Sequence, residues 1–359
     1  MKKVRVAVIG LDHVHTREML LAFTKNPNAE IVGVAEYHDC TEEELQFHIR
    51  RHICDDLNPE VYRDYKELLR QNLDIAVICT GVNDHADLVE ETLGLGINTI
   101  IEKPMALNMN EGKRMYRAYK ASSAQLMINW PVAWFPCFRK VKELADAGVV
   151  GDILRVEYRS PATCGPYARD EMTPQEFSKL WWFRHDEGGG AIPDYAGYGC
   201  VLTTWITGCT AKRVSGFKKN YLIPFSDAED YATFTIDFGH CMGLIEASWS
   251  TKSNGQIPTG PVVYGTEGTI VADRFGTDVK VYKEDDRYRP SCAPTEVYEF
   301  DPAVDGVADN MVNHILKGTP IHELTTPEFN MKVQAALDAG IRSCESGCIE
   351  DVAEPFYDL

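Results

Sequence analysis

Two short stretches hold residue types whose spacing can support chemistry. In "INTIIEKPMA" a Glu102-Lys103 pair closes a near-continuous apolar run, and Pro104 stiffens the chain directly after it. A lysine at the carboxyl end of a buried strand can donate to a substrate oxygen, while Glu102 can fix its position. A solvated surface lysine is the plainer reading of the same residue. In "GGGAIPDYAGYG" a run of three glycines, 188 to 190, precedes a segment of helical character after Pro193. Asp194 and Tyr198 are four residues apart there, so a carboxylate and a phenol can share one helical face. The glycines leave room for backbone close to a ligand, although an ordinary turn and a packed tyrosine account for them equally. The aromatic clusters "NWPVAWFP" and "LWWF" suit either a sugar-binding floor or the core.

A third stretch, "VIGLDHVHTREML", has the form of a nucleotide loop. Gly10 follows a strand and precedes a helix, where backbone N–H groups can meet a pyrophosphate. Asp12 and His15 stand where further glycines are expected, and a simple strand-to-helix turn would also explain a single glycine. Glu36 closes the next strand, 26 residues beyond Gly10. A carboxylate there can accept the ribose hydroxyls of NAD and repels a 2′-phosphate, which favours NAD over NADP. His13 and His15 invite a zinc reading, but a site needs at least three placed ligands. Loop hydrogen bonding is preferred and no metal is expected.

These residues need two kinds of scaffold. The first third alternates strand and helix periods: strands at Val4 to Ile9, Glu30 to Ala35, Ile75 to Cys79 and Ile97 to Ile101, with helices over 16 to 25 and from His85 to Gly94 or Gly96. That alternation predicts an α/β Rossmann domain with a doubly wound parallel sheet over residues 1–125. From Ile153 onward, stretches such as "ILRVEYRS" and "YATFTIDF" alternate with period two between turn residues. They predict a mostly antiparallel sheet in an α+β domain over 126–359. A helix is expected in "MKVQAALDAGIRSCESG", ending at Gly347.

Bulk properties narrow the partners. With 36 Lys and Arg against 54 Asp and Glu among 359 residues, the formal charge is −18, and no basic run exceeds a pair. Such a surface repels polyphosphate and anionic lipid, so neither nucleic acid nor membrane is expected. The N-terminus passes from two lysines into a strand without a signal-peptide pattern, and 11 scattered cysteines without a CxxC pair read as reduced thiols. The expected compartment is the cytoplasm.

The chain resembles the glucose-fructose oxidoreductase, inositol dehydrogenase and rhizopine catabolism family, known as Gfo/Idh/MocA. The resemblance rests on Thr80 through His85 with "GLGINTIIEKP", similar to the family's T-P-N-x-x-H segment and E-K-P signature. It extends through "GGGAIPD", "VVYGTEGTI" and "TPEFNMKVQAALDAGIRSCESG", nearly the whole chain. It implies an N-terminal Rossmann domain and a C-terminal domain built on a large open sheet, often used to form homodimers or homotetramers. The implied activity is NAD(P)-dependent oxidoreduction of sugars, polyols or related compounds. Lys103 matches the E-K-P lysine and Asp194 the aspartate after the glycine run. Many members carry a catalytic histidine four residues later, where this chain has Tyr198. The branch with glucose-fructose oxidoreductase and dihydrodiol dehydrogenase uses tyrosine there, in a D-x-G-x-Y context whose glycine is Ala196 here. Three departures stand out: one glycine in the fingerprint, "TGVNDH" for the T-P-N segment, and Ala133 or Trp134 for a common arginine.

The resulting expectation is hydride transfer between a nicotinamide and a secondary alcohol or its carbonyl. Tyr198 exchanges the hydroxyl proton, Lys103 stabilises phenolate and developing alkoxide, and Asp194 orients the partners. Gly10, His13, Val14, Glu36, Thr80, His85, Glu102 and Lys103 are the expected cofactor residues. Two rivals fit the same residues: a non-catalytic cofactor or sugar sensor, and NAD-assisted elimination or glycoside cleavage.

Overall fold

The computed structural model describes residues 3–11, 13–53, 57, 59–160, 173–251, 258–272, 278–283, 293–300 and 305–357. Asp12 lies outside them. The chain divides into two compact units, residues 1–130 with 305–331, and 131–304 with 332–357.

The first unit is built on six strands: β1 (Val4–Ile9), β2 (Ala29–Ala35), β3 (Val61–Tyr62), β4 (Ile75–Ile78), β5 (Asn98–Glu102) and β6 (Leu126–Asn129). They pair in the order β3-β2-β1-β4-β5-β6, all parallel. Strands such as "IAVI" in β4 and "LMIN" in β6 are buried throughout, because helices cover both faces of a parallel sheet. The crossovers are α1 (Thr16–Lys25), α2 (Glu42–His52), α3 (Tyr65–Leu69), α4 (His85–Gly94) and α5 (Met109–Ala121). Met19, Leu20 and Phe23 form the buried stripe of α1. A capping box between Thr41 and Glu44 starts α2, and the Asn108 side chain caps α5. Strand order reverses between β1 and β4, which opens a ligand crevice outside their carboxyl ends.

The second unit holds a nine-stranded sheet: β7 (Ile153–Arg159), β8 (Arg213–Lys219), β9 (Tyr231–Asp237), β10 (Met242–Ser248), β11 (Val262–Gly265), β12 (Thr269–Ala272), β13 (Asp278–Tyr282), β14 (Glu296–Glu299) and β15 (Glu350–Asp351). The order is β14-β13-β12-β11-β7-β10-β9-β8-β15, and only the β7–β10 pairing is parallel. Alternation decides the faces: in β9 Ala232, Phe234 and Ile236 are buried while Thr233, Thr235 and Asp237 are partly exposed. The buried face packs against α6 (Pro136–Asp146) and α8 (Gly197–Thr207), which is buried from Gly197 to Ile206, with the short α7 (Pro174–Phe177) between them in sequence.

The expected break after residue 125 falls after Trp130, and the first unit takes back a later segment. That segment carries α9 (Val307–Lys317), and α10 (Pro327–Ser346) starts in it. Polar pairs distant in sequence make the return: Asn26 Nδ2 donates to Asp309 Oδ1 at 2.8 Å, and Trp130 Nε1 to Asn330 Oδ1 at 2.6 Å. Among the described residues no helix is long and apolar enough to cross a membrane.

Candidate active site

In the first unit, β1 delivers Gly10 to the crevice with φ +86°, in the left-handed region. A Cβ there would lie 2.6 Å from both the Cys79 carbonyl oxygen and the Thr80 Cγ2, so the turn requires glycine. The Gly10 N–H continues the ladder to the Ala35 carbonyl at 2.8 Å, and the Leu11 N–H donates to Glu36 Oε2 at 3.1 Å. The other Glu36 oxygen pairs with His48 Nδ1 of α2. Glu36 therefore stands at the end of β2 with its orientation fixed and acceptor capacity to spare. His15 occupies the cap position of α1 without a side-chain capping bond, and the Thr16 N–H donates to the His13 carbonyl at 3.1 Å beside the glycine turn. Gly10 and Glu36 thus suit the pyrophosphate and adenosine ribose of NAD, and half-buried Val14 lies in the same loop.

The imidazole of His15 turns to the end of β5. Its Nδ1 lies 2.8 Å from Glu102 Oε2, and Asn129 Nδ2 donates to Glu102 Oε1 at 2.8 Å. Complete burial pushes the Glu102 carboxyl up, but the His15 imidazole, the Asn129 amide and the Lys103 ammonium together outweigh it. The group is held below the ordinary range, as a buried carboxylate. Lys103, only 2 % exposed, follows it. His85 at the start of α4 is also buried, with Nδ1 3.3 Å from the Met105 carbonyl oxygen. Burial lowers its pKa to about 4 against the opposing pull of the Met105, Pro104 and Thr80 carbonyls and of Glu102, so the ring is neutral. His13 Nδ1 accepts the His15 N–H at 3.1 Å. Ligand atoms of His13, His15 and Glu102 lie within 4.8 Å of one another, so the third member of the histidine pair's cluster is Glu102.

Burial sorts the residues expected at the cofactor. Glu36 and Val14 keep accessible surface. His13, Thr80, His85 and Glu102 are buried: Thr80 packs under Gly10, and His85 Nδ1 meets the Met105 carbonyl in the loop after Lys103. Asn129 and His48 were not anticipated. A signal for Asn129 existed, since it ends β6 in register with Glu102 at the end of β5.

In the second unit Gly189 and Gly190 make room for the protein's own groups. A Cβ on Gly189 would meet the Trp182 carbonyl oxygen at 2.3 Å, and one on Gly190 (φ +113°) would meet Glu229 Oε1 at 2.3 Å. The space expected for a ligand is filled by these groups. Helical winding begins at Ile192, before Pro193, and the Gly197 N–H reaches back five residues to the Ile192 carbonyl, so Ile192–Ala196 is one π-turn leading into α8. Pro193, with no N–H, fits the start of that turn. Asp194 lies within it, and its Oδ2 accepts the indole N–H of buried Trp249 at 2.9 Å. Tyr198 is buried in the first turn of α8, its ring 6.0 Å from that of Tyr195. Glu229 supports the segment by accepting the Ile192 N–H at 2.9 Å, and burial raises its carboxyl despite that bond and the pull of Lys218 and His185. Sequence spacing gave no hint of Trp249 or Glu229. Trp130, Trp181, Trp182 and Phe183 are core residues, the two adjacent tryptophans stacked at 3.8 Å.

Residues 4–130 match the model of the GFO_IDH_MocA oxidoreductase family with its NAD-binding Rossmann fold, and residues 138–271 match a GFO/IDH/MocA C-terminal domain. This chain belongs to the Gfo/Idh/MocA family. It is an NAD-dependent oxidoreductase, and the first unit is its NAD-binding domain. Among its relatives, scyllo-inositol 2-dehydrogenase (NAD(+)) of Bacillus subtilis is 24% identical over 275 residues, covering 75% of this chain and 73% of that enzyme. Trans-1,2-dihydrobenzene-1,2-diol dehydrogenase of Xenopus laevis is 24% identical over 60% of this chain and 61% of its own length. The fold is shared by aldose-aldose oxidoreductase of Caulobacter crescentus, solved with glycerol: TM-score 0.76, 18% identity, covering 98% of this chain and 100% of that one.

Proposed function

We propose that this Gfo/Idh/MocA protein transfers hydride between NAD and a secondary hydroxyl of a sugar or polyol. The observation that carries the reading is the nearly buried Lys103 beside an ionised Glu102 at the carboxyl edge of the parallel sheet. Burying an ammonium is costly without a partner, and edge groups of this kind bind substrate oxygens in such sheets. Relatives named for an inositol, a cyclic diol and an aldose all act on molecules with adjacent hydroxyls, which supports the substrate class.

NAD supplies the hydride acceptor when bound. Gly10, Val14 and Glu36 hold it, while His13, Thr80, His85 and Glu102 position the loops. Lys103 donates to the substrate oxygen and stabilises its developing negative charge. Tyr198 receives the hydroxyl proton, and Asp194, anchored by Trp249, orients the substrate. Incubation with NAD+ and a panel of inositols, sugars and cyclic diols should form NADH with at least one. Intact NADH binding with no turnover on any member would overturn the substrate class.

The outward face of the nine-stranded sheet supports a homodimer or homotetramer. Phe217 is 80% and Met242 45% exposed on that face, large apolar groups that self-association would cover. Light scattering should give more than one chain per particle, and Phe217→Glu should yield monomers. A monomeric parent protein would remove the assignment. Thiols such as those of Cys200, Cys209 and Cys348, none of them in a disulfide, are in keeping with a cytoplasmic enzyme.

A further inference from the structure

The second unit carries a side-chain cluster that the hydride chemistry does not use. After α8, Gly208 adopts φ +68° and turns the chain so that Cys209 folds back on the helix end. The Cys209 thiol donates to the Thr207 carbonyl at 3.1 Å, and its N–H to Thr207 Oγ1 at 3.3 Å. Opposite stands the turn between β9 and β10, closed by the Phe238 N–H on the Cys241 carbonyl at 3.0 Å, with Gly239 at φ +97°. That turn presents His240 at the surface and Cys241 inward. Cys209 Sγ lies 3.5 Å from His240 Nε2, and the ligand atoms of Cys209, His240 and Cys241 all lie within 4.8 Å of one another.

We propose that Cys209, His240 and Cys241 form a binding site for a zinc-like divalent cation. The ligand set is two sulfurs and one imidazole, the donors zinc prefers. The spacing fits as well: with Zn–S near 2.3 Å and Zn–N near 2.1 Å, a tetrahedral centre places sulfur and nitrogen about 3.6 Å apart. Three protein ligands leave the fourth position to water, and exposed His240 lies on the solvent side. On binding, each thiol loses its proton to solvent and each sulfur forms one bond to the metal, so two protons leave for each ion bound. Lys212, whose ammonium passes beside Gly239, and Asp237, paired with Arg213, are the charged groups next to the turn.

The site would fasten the end of α8 to the sheet. Thr207 lies nine residues beyond Tyr198, roughly 14 Å along the helix axis at 1.5 Å per residue, too far to touch a substrate there. The metal would therefore act on stability and leave turnover unchanged.

The test uses the full-length protein, stripped with chelator and kept reduced, then titrated with Co2+. The expected result is one cobalt per chain with a thiolate-to-cobalt charge-transfer band, displaced by Zn2+, and a higher Tm with zinc. Cys209→Ser and His240→Ala should each weaken metal binding by at least about tenfold and abolish the Tm rise, with NADH binding intact. Absence of the charge-transfer band would overturn the proposal. So would a band of unchanged affinity in both variants, which would assign the metal to other thiols. Zinc affinity that disappears with His15→Ala and survives His240→Ala would place the ion at the His13, His15 and Glu102 cluster instead.

Discussion

Glu102 and Glu229 are both buried acids, one ending a strand of the parallel sheet, the other leading into the antiparallel one. Their charge states differ. Glu102 meets an imidazole, an amide and an ammonium, which keep it ionised. Glu229 accepts two backbone N–H groups, of Ile192 and its own, with Lys218 and His185 acting only through space, and burial raises it. Burial alone thus does not mark a functional carboxylate. The kind of partner differs: Glu102 meets polar side chains at the end of β5, where the proposed chemistry lies, while Glu229 takes backbone N–H groups and braces the π-turn.

The sharpest way to break this contrast is to remove the groups assigned to chemistry. Lys103→Ala and Tyr198→Phe should each lower kcat/KM by about 100-fold or more, with the fold retained by circular dichroism. Full activity in both variants would dissolve the assignment. Next in size is the cofactor loop: Glu36→Ala should weaken NADH binding about tenfold, read by nicotinamide fluorescence, and narrow the preference over NADPH. An unchanged affinity would mean that Glu36 only ties Leu11 to His48.

The smallest effect compares the two acids directly through Tm against pH. Glu102, lowered in the fold, contributes stability that is present above the ordinary carboxylate range and lost as pH falls through its folded value. Glu229, raised in the fold, has the opposite sign: stability declines as pH climbs from the ordinary range through its raised value. Glu102→Gln should therefore cost about 1–3 kcal/mol at neutral pH. Glu229→Gln, which keeps an acceptor for Ile192, should leave neutral Tm equal or higher. Parallel behaviour of the two variants would erase the distinction.

Much of the scaffold was legible in the chain. Met19, Leu20 and Phe23 placed α1 at its observed bounds, and the apolar run before Glu102 placed β5 within a residue. Local periodicity reports burial, and burial is what these elements share. The partners of the site residues were less legible: His48 and Trp249 reach theirs through tertiary pairing that no spacing encodes, and Asn129 meets Glu102 only through the β5–β6 register. The glycine run misled for a related reason. Glycine signals a close approach without saying what approaches, and at 189 and 190 it is the Trp182 carbonyl and the Glu229 side chain. The π-turn escaped because an apolar stripe does not distinguish it from an α-helix over one turn.

The return of residues 305–331 to the first unit bears on how the chain is made. When Trp130 leaves the ribosome, the segment that supplies Asp309 and Asn330 has not been translated. At roughly 5–20 residues per second, about 10–40 s pass before it arrives. Until residues 305–331 are made, the nascent nucleotide domain lacks the acceptors for Asn26 and for the Trp130 indole, so its last polar pairs close only after most of the second unit has been synthesised.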